Sequence, residues 1–186
     1  VRIPDGLFET SGIVENIGGD GHLKIKYQGM TQEKNLTVRD HQDALQALVG
    51  FLEQLGVLRG GIDAVGHRVV HGGESFSGSV LIDEQVLRAI AQCADLAPLH
   101  NPANLKGIDV AMRVFPGIPQ IAVFDTAFHQ TIAPYAYLYA LPQNLYLEKS
   151  VRRYGFHGTS HRYVSLKTSE ILGIPLKSIR LITAHL

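Results

Sequence analysis

The chain has 186 residues, 45% of them hydrophobic, enough to fill the core of one sizeable domain or of one domain and part of another. Seventeen basic and seventeen acidic side chains cancel, so no overall field draws the chain to nucleic acid or to an anionic membrane surface, and a small molecule is the expected partner. The single cysteine, Cys93, excludes a disulfide framework within one chain, no apolar run approaches the ~18 residues of a membrane span, and Val1 to Gly6 lack a secretory segment, so a soluble cytoplasmic protein is expected.

In chain order, Gly12 to Ile17 and His22 to Tyr27 are β-type runs separated by Gly18-Gly19-Asp20-Gly21, which predicts a hairpin. Asp40 is placed to cap a helix whose apolar positions Ala44, Leu45, Leu48, Leu52 and Leu55 follow helical spacing, with Gly56 as a stop. A strand follows through Ala64-Val65-Gly66 towards Val69-Val70. Asp83 caps a second predicted helix, which includes Cys93 as a buried thiol. Asn101-Pro102 reads as a turn, Asn104 to Phe115 as a third helix, and Pro116-Gly117 as its end. Gln120 to Phe124 is a short continuous apolar run of the kind found in a sheet buried on both faces. Thr131 to Val151 has no clear period, residues 159–172 look helical, and Arg180 to His185 read as another strand. Strands alternating with helices predict an α/β layer fold. The chain opens on Val1 rather than methionine and its last residues form an apolar β-type run, which leads to the expectation of a piece truncated at both ends.

Residue types that carry chemistry gather in four short segments at predicted strand ends, where open α/β sheets place ligands: His67 to Glu74, Leu96 to Pro102, Val123 to Thr131, and Arg152 to His161. Arg68 is trailed by Gly72-Gly73, which lets a ligand approach the backbone, and a guanidinium suits bidentate capture of a carboxylate or phosphoryl group; pairing of Arg68 with an acidic side chain is the alternative. Asp125 directly follows an apolar strand, a station for a carboxylate that holds Mg²⁺ or orients a reactant, or that caps the next turn. His157 sits between Gly155 and Gly158 at a predicted helix start, where backbone N–H groups can meet an anion and Thr159 or Ser160 can cap. Seven of the nine histidines lie between His67 and His185, and the pairs His67/His71 and His157/His161 have four-residue spacing. A zinc site is disfavoured, because the first pair is in a strand-like context and the second lacks the Glu of His-Glu-x-x-His. A serine hydrolase is disfavoured by the lack of a Gly-x-Ser-x-Gly elbow around Ser160.

Taken together, Phe124-Asp125-Thr126-Ala127-Phe128-His129-Gln130-Thr131, Arg153-Tyr154-Gly155-Phe156-His157-Gly158-Thr159-Ser160-His161 and the two earlier segments resemble the acetate kinase family, of the acetate and sugar kinase, Hsp70 and actin superfamily. The likeness runs from about Gly66 to Leu186, and residues 1–60 agree in general layout only. The resemblance implies a ribonuclease-H-like α/β lobe over residues 1–126, without its opening strand and phosphate loop, and the beginning of a second, nucleotide-binding lobe over residues 127–186.

It further implies reversible transfer of the ATP γ-phosphoryl to acetate, giving acetyl phosphate and ADP, with Mg²⁺ or Mn²⁺, in a full-length homodimer. On this likeness Arg68 binds the acetate carboxylate and the phosphoryl group, Asp125 organises metal and reactants, and His157 hydrogen-bonds the phosphoryl in the transition state. Val70, Leu99 and Phe156 line a small pocket for the acetate methyl, and His100 and His185 support. The adenosine pocket, a second arginine and a metal-binding glutamate are missing, so the piece alone is expected to be inactive. The alternatives are a propionate or butyrate kinase of the same family, since propionate kinases tend to carry a smaller residue at the position of Val70, and a non-catalytic carboxylate-binding lobe.

Overall fold

The computed structural model describes residues 10–56, 58 and 61–185, so the readings made of Val1 to Gly6 and of Leu186 lie outside the described residues. The chain divides into two compact units, one of residues 1–65 and 106–118, the other of residues 66–105 and 119–186.

The first unit carries an antiparallel sheet of β1 (Thr10–Glu15), β2 (Gly19–Tyr27) and β3 (Met30–Val38), in that order. Along β2 the buried residues alternate, Gly21, Leu23 and Ile25, because successive side chains of a strand point to opposite faces. Each such large apolar side chain taken out of water contributes about 1.5–3 kcal/mol. The first turn differs from expectation: it is Asn16-Ile17-Gly18, and Gly19 to Gly21 belong to the strand. Asn16 (φ 56°) and Gly18 (φ 113°) tolerate positive φ, which lets the chain reverse one step earlier. The strand β3 was not expected, since its residues are polar and mostly exposed. Its signal is the pair Gln28-Gly29, both at positive φ, which joins β2 to β3 as a two-residue hairpin turn.

Helix α1 (His41–Gln54) starts where expected: the Asp40 carboxylate accepts the N–H groups of Gln42 and Asp43 at 2.8 and 3.0 Å, satisfying two donors that the first turn leaves open. It lies against β1 and β3, with Ala44 buried. In the same unit Arg113 donates to the Gln42 side chain at 2.8 Å.

The second unit is built on a sheet of order β4-β6-β5, made of β4 (Val65–Val69), β5 (Val80–Leu81) and β6 (Gln120–Phe124), with β5 antiparallel to β6. Asp83 caps α2 (Glu84–Gln92) by accepting from Val86 N–H at 2.8 Å. Val86 and Ile90 of α2 are buried, as are Val69, Ala122 and Phe124 of the sheet. Phe76 stacks on Phe124, ring centroids 4.3 Å apart. Cys93, the residue after α2, is buried, and burial pushes its thiol up, which keeps it protonated and inert.

Helix α3 (Asn101–Val114) begins three residues before the expected start, because Pro102 in a first turn costs no hydrogen bond and favours helical φ. The segment of no clear period holds two short helices, α4 (Pro134–Tyr137) and α5 (Gln143–Lys149), and α6 (Gly158–Leu172) then runs to a left-handed Gly173. The strand expected over Arg180 to His185 does not form. An extended apolar run becomes a strand only when a neighbour completes its ladder, and Ile182 lies 96% exposed.

Candidate active site

Asp125 follows β6 at the point where β4 ends beside it. Its N–H donates to the Val69 carbonyl at 3.0 Å, and its carbonyl accepts the Gly158 N–H at 2.9 Å, so one backbone unit ties the end of β4 to the start of α6. A Cβ on Gly158 would collide with that carbonyl oxygen, which makes glycine the residue that fits.

The Asp125 side chain is 1% exposed, and a buried carboxylate needs a charged partner. Arg68, on β4, supplies it: Nε donates at 3.0 and 3.2 Å to the two oxygens and Nη2 at 2.6 Å. This hydrogen bonding pushes the guanidinium above its ordinary range, against the smaller opposing effect of desolvation, so Arg68 is cationic throughout. The Arg68 side chain is nevertheless 62% exposed, and Nη1 takes no part in the pair. Pairing with an acidic group and presentation to solvent therefore coexist: Asp125 fixes one edge of the fork and leaves the other directed outward.

His157 is the residue before α6 and has φ 54°, the left-handed region that a side chain enters at a cost of about 1–3 kcal/mol. No side chain caps this helix, contrary to the expectation for Thr159 or Ser160. Because the helix opens at Gly158, both lie inside the first turn, and Ser160 Oγ instead meets His185 Nδ1 at 2.9 Å. The His185 ring stacks on that of His157 with centroids 4.1 Å apart and 29° between planes. His161 Nδ1 meets Thr183 Oγ1 at 2.8 Å, so the last described residues are held to α6 by two histidine–hydroxyl contacts.

Arg68, Asp125 and His157 line one cavity of about 480 Å³ together with Val70, Leu99, His100 and Phe156. His185 is not among the lining residues and reaches the cleft only through its stacking on His157. Leu96, Ala97 and Pro98 also form part of the wall. They lie in the second chemistry-bearing segment, whose position in the chain was the available signal. Among the described residues the cavity lies within the size range of small-molecule sites, with Leu99 and Phe156 at its exposed side.

Residues outside the cleft brace it. Glu74 pairs with the buried guanidinium of Arg152, which lies 3.6 Å over the Tyr137 ring. Tyr146, pushed up to about 12 mainly by its hydrogen bond to Tyr137, donates its hydroxyl to Glu74 at 3.2 Å. His129 meets the Phe156 carbonyl at 3.0 Å, and its ring occupies the space that a side chain at Gly155 would need.

Among the described residues no group of three His, Cys, Asp or Glu side chains could hold a metal ion. His67 meets Gln120 Oε1 at 2.7 Å and the buried His71 accepts from Gly73 N–H at 3.0 Å, so the His67/His71 pair serves the protein itself. The one carboxylate at the cleft, Asp125, has both oxygens taken by Arg68.

Comparison with known proteins agrees with the motifs. A family model described as the Acetokinase family matches residues 5–186, extending the likeness into the first 60 residues. The chain is 54% identical over 182 residues to the acetate kinase of Thermotoga maritima, an alignment covering 94% of this chain and 45% of that protein. The crystal structure of Porphyromonas gingivalis acetate kinase superposes with a TM-score of 0.92 at 44% identity, covering 100% of this chain and 48% of that one. A propionate kinase from Francisella tularensis superposes at 0.85, also with 44% identity, covering 89% of this chain and 43% of that one. The chain spans about half the length of the curated relatives it matches, and the mixed α/β fold is that of the acetate and sugar kinase, Hsp70 and actin superfamily.

Proposed function

The chain belongs to the Acetokinase family, and from that premise we propose that the protein containing it is an ATP-dependent kinase that phosphorylates the carboxylate of acetate, reversibly, giving acetyl phosphate and ADP. The observation that carries this reading is the single cleft in which an outward-facing arginine, braced by a buried aspartate, shares walls with an imidazole and with the apolar side chains of Val70 and Phe156. A cation beside an apolar wall is what a short carboxylic acid requires.

Acetate is ionised at neutral pH, so its oxygen attacks the γ-phosphorus without losing a proton. The new P–O bond forms as the bond to the β-phosphate oxygen breaks and ADP leaves with the electron pair. No general base is needed, and catalysis reduces to holding two anions in line and stabilising charge on the transferring oxygens. Arg68 binds the carboxylate and the phosphoryl group, His157 donates to the phosphoryl oxygens, and Val70, Leu99 and Phe156 receive the methyl group. Asp125 holds Arg68 in place rather than accepting a proton. Mg²⁺ or Mn²⁺ belongs to the same proposal on grounds of family, with Asp125 the residue of this chain that would help organise it.

The propionate kinase among the similar structures supports propionate as a second, poorer substrate, since one methylene is worth only about 1–3 kcal/mol in such a pocket. A cytoplasmic homodimer and a lobe boundary at residues 126/127 complete the proposal. The test is formation of acetyl hydroxamate from acetate, ATP, Mg²⁺ and hydroxylamine by the full-length protein. Product that depends on all four is expected. No product at millimolar acetate would contradict a kinase and favour a carboxylate-binding lobe.

A further inference from the structure

Beyond β4 the chain leaves the sheet, yet four consecutive backbone N–H groups are met by side chains. Val70 N–H donates to Asn104 Oδ1, His71 N–H to Asn101 Oδ1 and Gly72 N–H to Thr126 Oγ1, each at 3.1 Å, and Gly73 N–H to His71 Nδ1 at 3.0 Å. An unmet buried N–H costs about as much as a lost hydrogen bond, so these side chains decide where the segment lies.

Asn104 holds Val70, the one residue of this segment that lines the cleft. Asn101 makes a parallel link one residue on, its N–H donating to the Ala97 carbonyl at 3.0 Å and its side chain meeting both the N–H and the carbonyl of His71. The Asn104 N–H donates to the His100 carbonyl at 2.8 Å, in the first turn of α3, while its amide oxygen holds Val70. Val70 forms one wall of the cleft and Leu96 to His100 form another. Asn104 thus ties the two lining stretches to each other directly, through its backbone on one side and its side chain on the other. The Asn104 side chain lines no part of the cleft.

We infer that Asn104 is a positioning residue that sets the separation of Val70 from the Leu96–His100 wall and thereby the length of acyl chain the cleft favours. This rests on the kinase reading above. Without the amide oxygen, Val70 loses its direct tie to the opposite wall and can relax away from it within the limits set by Asp125 at Val69 and Asn101 at His71, and the extra methylene of propionate costs less. A loss of folding stability alone would lower turnover of both acids alike; a change in wall spacing moves their ratio.

The experiment compares kcat/KM for acetate and propionate in the full-length protein and in Asn104→Leu, Asn104→Ala and Asn104→Asp variants, with Tm recorded for each. Leucine matches the size of asparagine without an acceptor, alanine guards against misfolding of the leucine variant, and aspartate keeps an acceptor oxygen. Its added charge acts on both carboxylates alike and cancels in the ratio. The expected result is a shift towards propionate of roughly threefold or more in the Leu and Ala variants, carried by KM rather than kcat, and a ratio near that of the unaltered protein with Asp. An unchanged ratio in Leu and Ala, or the same shift in Asp, overturns the inference while leaving the kinase reading intact. An unaltered protein that does not turn over acetate overturns both.

Discussion

In the sheet of the first unit, backbone meets backbone: Thr10 to Glu15 pair with Tyr27 to His22, and Gly19 to Tyr27 with Val38 to Met30. At the end of β4 in the second unit, the N–H groups of Val70 to Gly73 are met by Asn104, Asn101, Thr126 and His71. A ladder is indifferent to which side chains its strands carry, provided alternation is kept, so β3 can be polar and largely exposed. A segment held by side chains is not indifferent, because each acceptor is a particular residue at a particular distance. The candidate site is built from the second kind of structure, and substitutions there are expected to have specific, unequal effects.

The largest effect is expected at the cleft itself. Arg68→Ala and His157→Ala in the full-length protein should each lower kcat by at least about tenfold, since each removes a donor aimed at developing charge. Unchanged turnover in either would take that residue out of the site. Next comes Thr126, fully buried, whose hydroxyl accepts from Gly72. Thr126→Val should destabilise the protein by about 1–3 kcal/mol in denaturant unfolding while Thr126→Ser stays near the parent; equal losses in both would show that packing, not the hydrogen bond, matters.

A smaller effect comes from His71. Burial holds its imidazole below the ordinary value of 6.5, so in acid the folded state binds fewer protons than the unfolded one. Its contribution is therefore fully present above 6.5 and lost as pH falls through that value towards the folded-state pKa. The stability difference between the parent and a His71→Gln variant should narrow on acidification from about pH 7 to about pH 5, and a constant difference would exclude His71 as the source. The smallest effect is expected in the first unit. Lys24 and Glu33 face each other on β2 and β3 at 2.7 Å, on the solvent side of the sheet with side chains 41% and 46% exposed, and Lys24→Ala should leave Tm unaltered. A clear drop there would erase the contrast between the two units.

The sequence shows unevenly through this structure. The caps at Asp40 and Asp83 and the strand Gln120 to Phe124 are local signals and stand where they were read. The four chemistry-bearing segments also led to Arg68, Asp125 and His157, and the motif Phe124 to Thr131 placed the chain near its family. Illegible were features that depend on distant partners. Nothing local says that Asn101 and Asn104 reach back to His71 and Val70, or that Arg180 to His185 stay out of a sheet. The left-handed His157 was equally hidden, since its conformation follows from the attachment of Gly158 to Asp125.

The most direct measurement is a crystal structure of the full-length protein grown with acetate. Arg68 and His157 are expected on facing sides of one bound acetate, its carboxylate about 3 Å from the guanidinium and its methyl against Val70. Acetate bound elsewhere, with the cleft beside Arg68 left to solvent, would contradict the site.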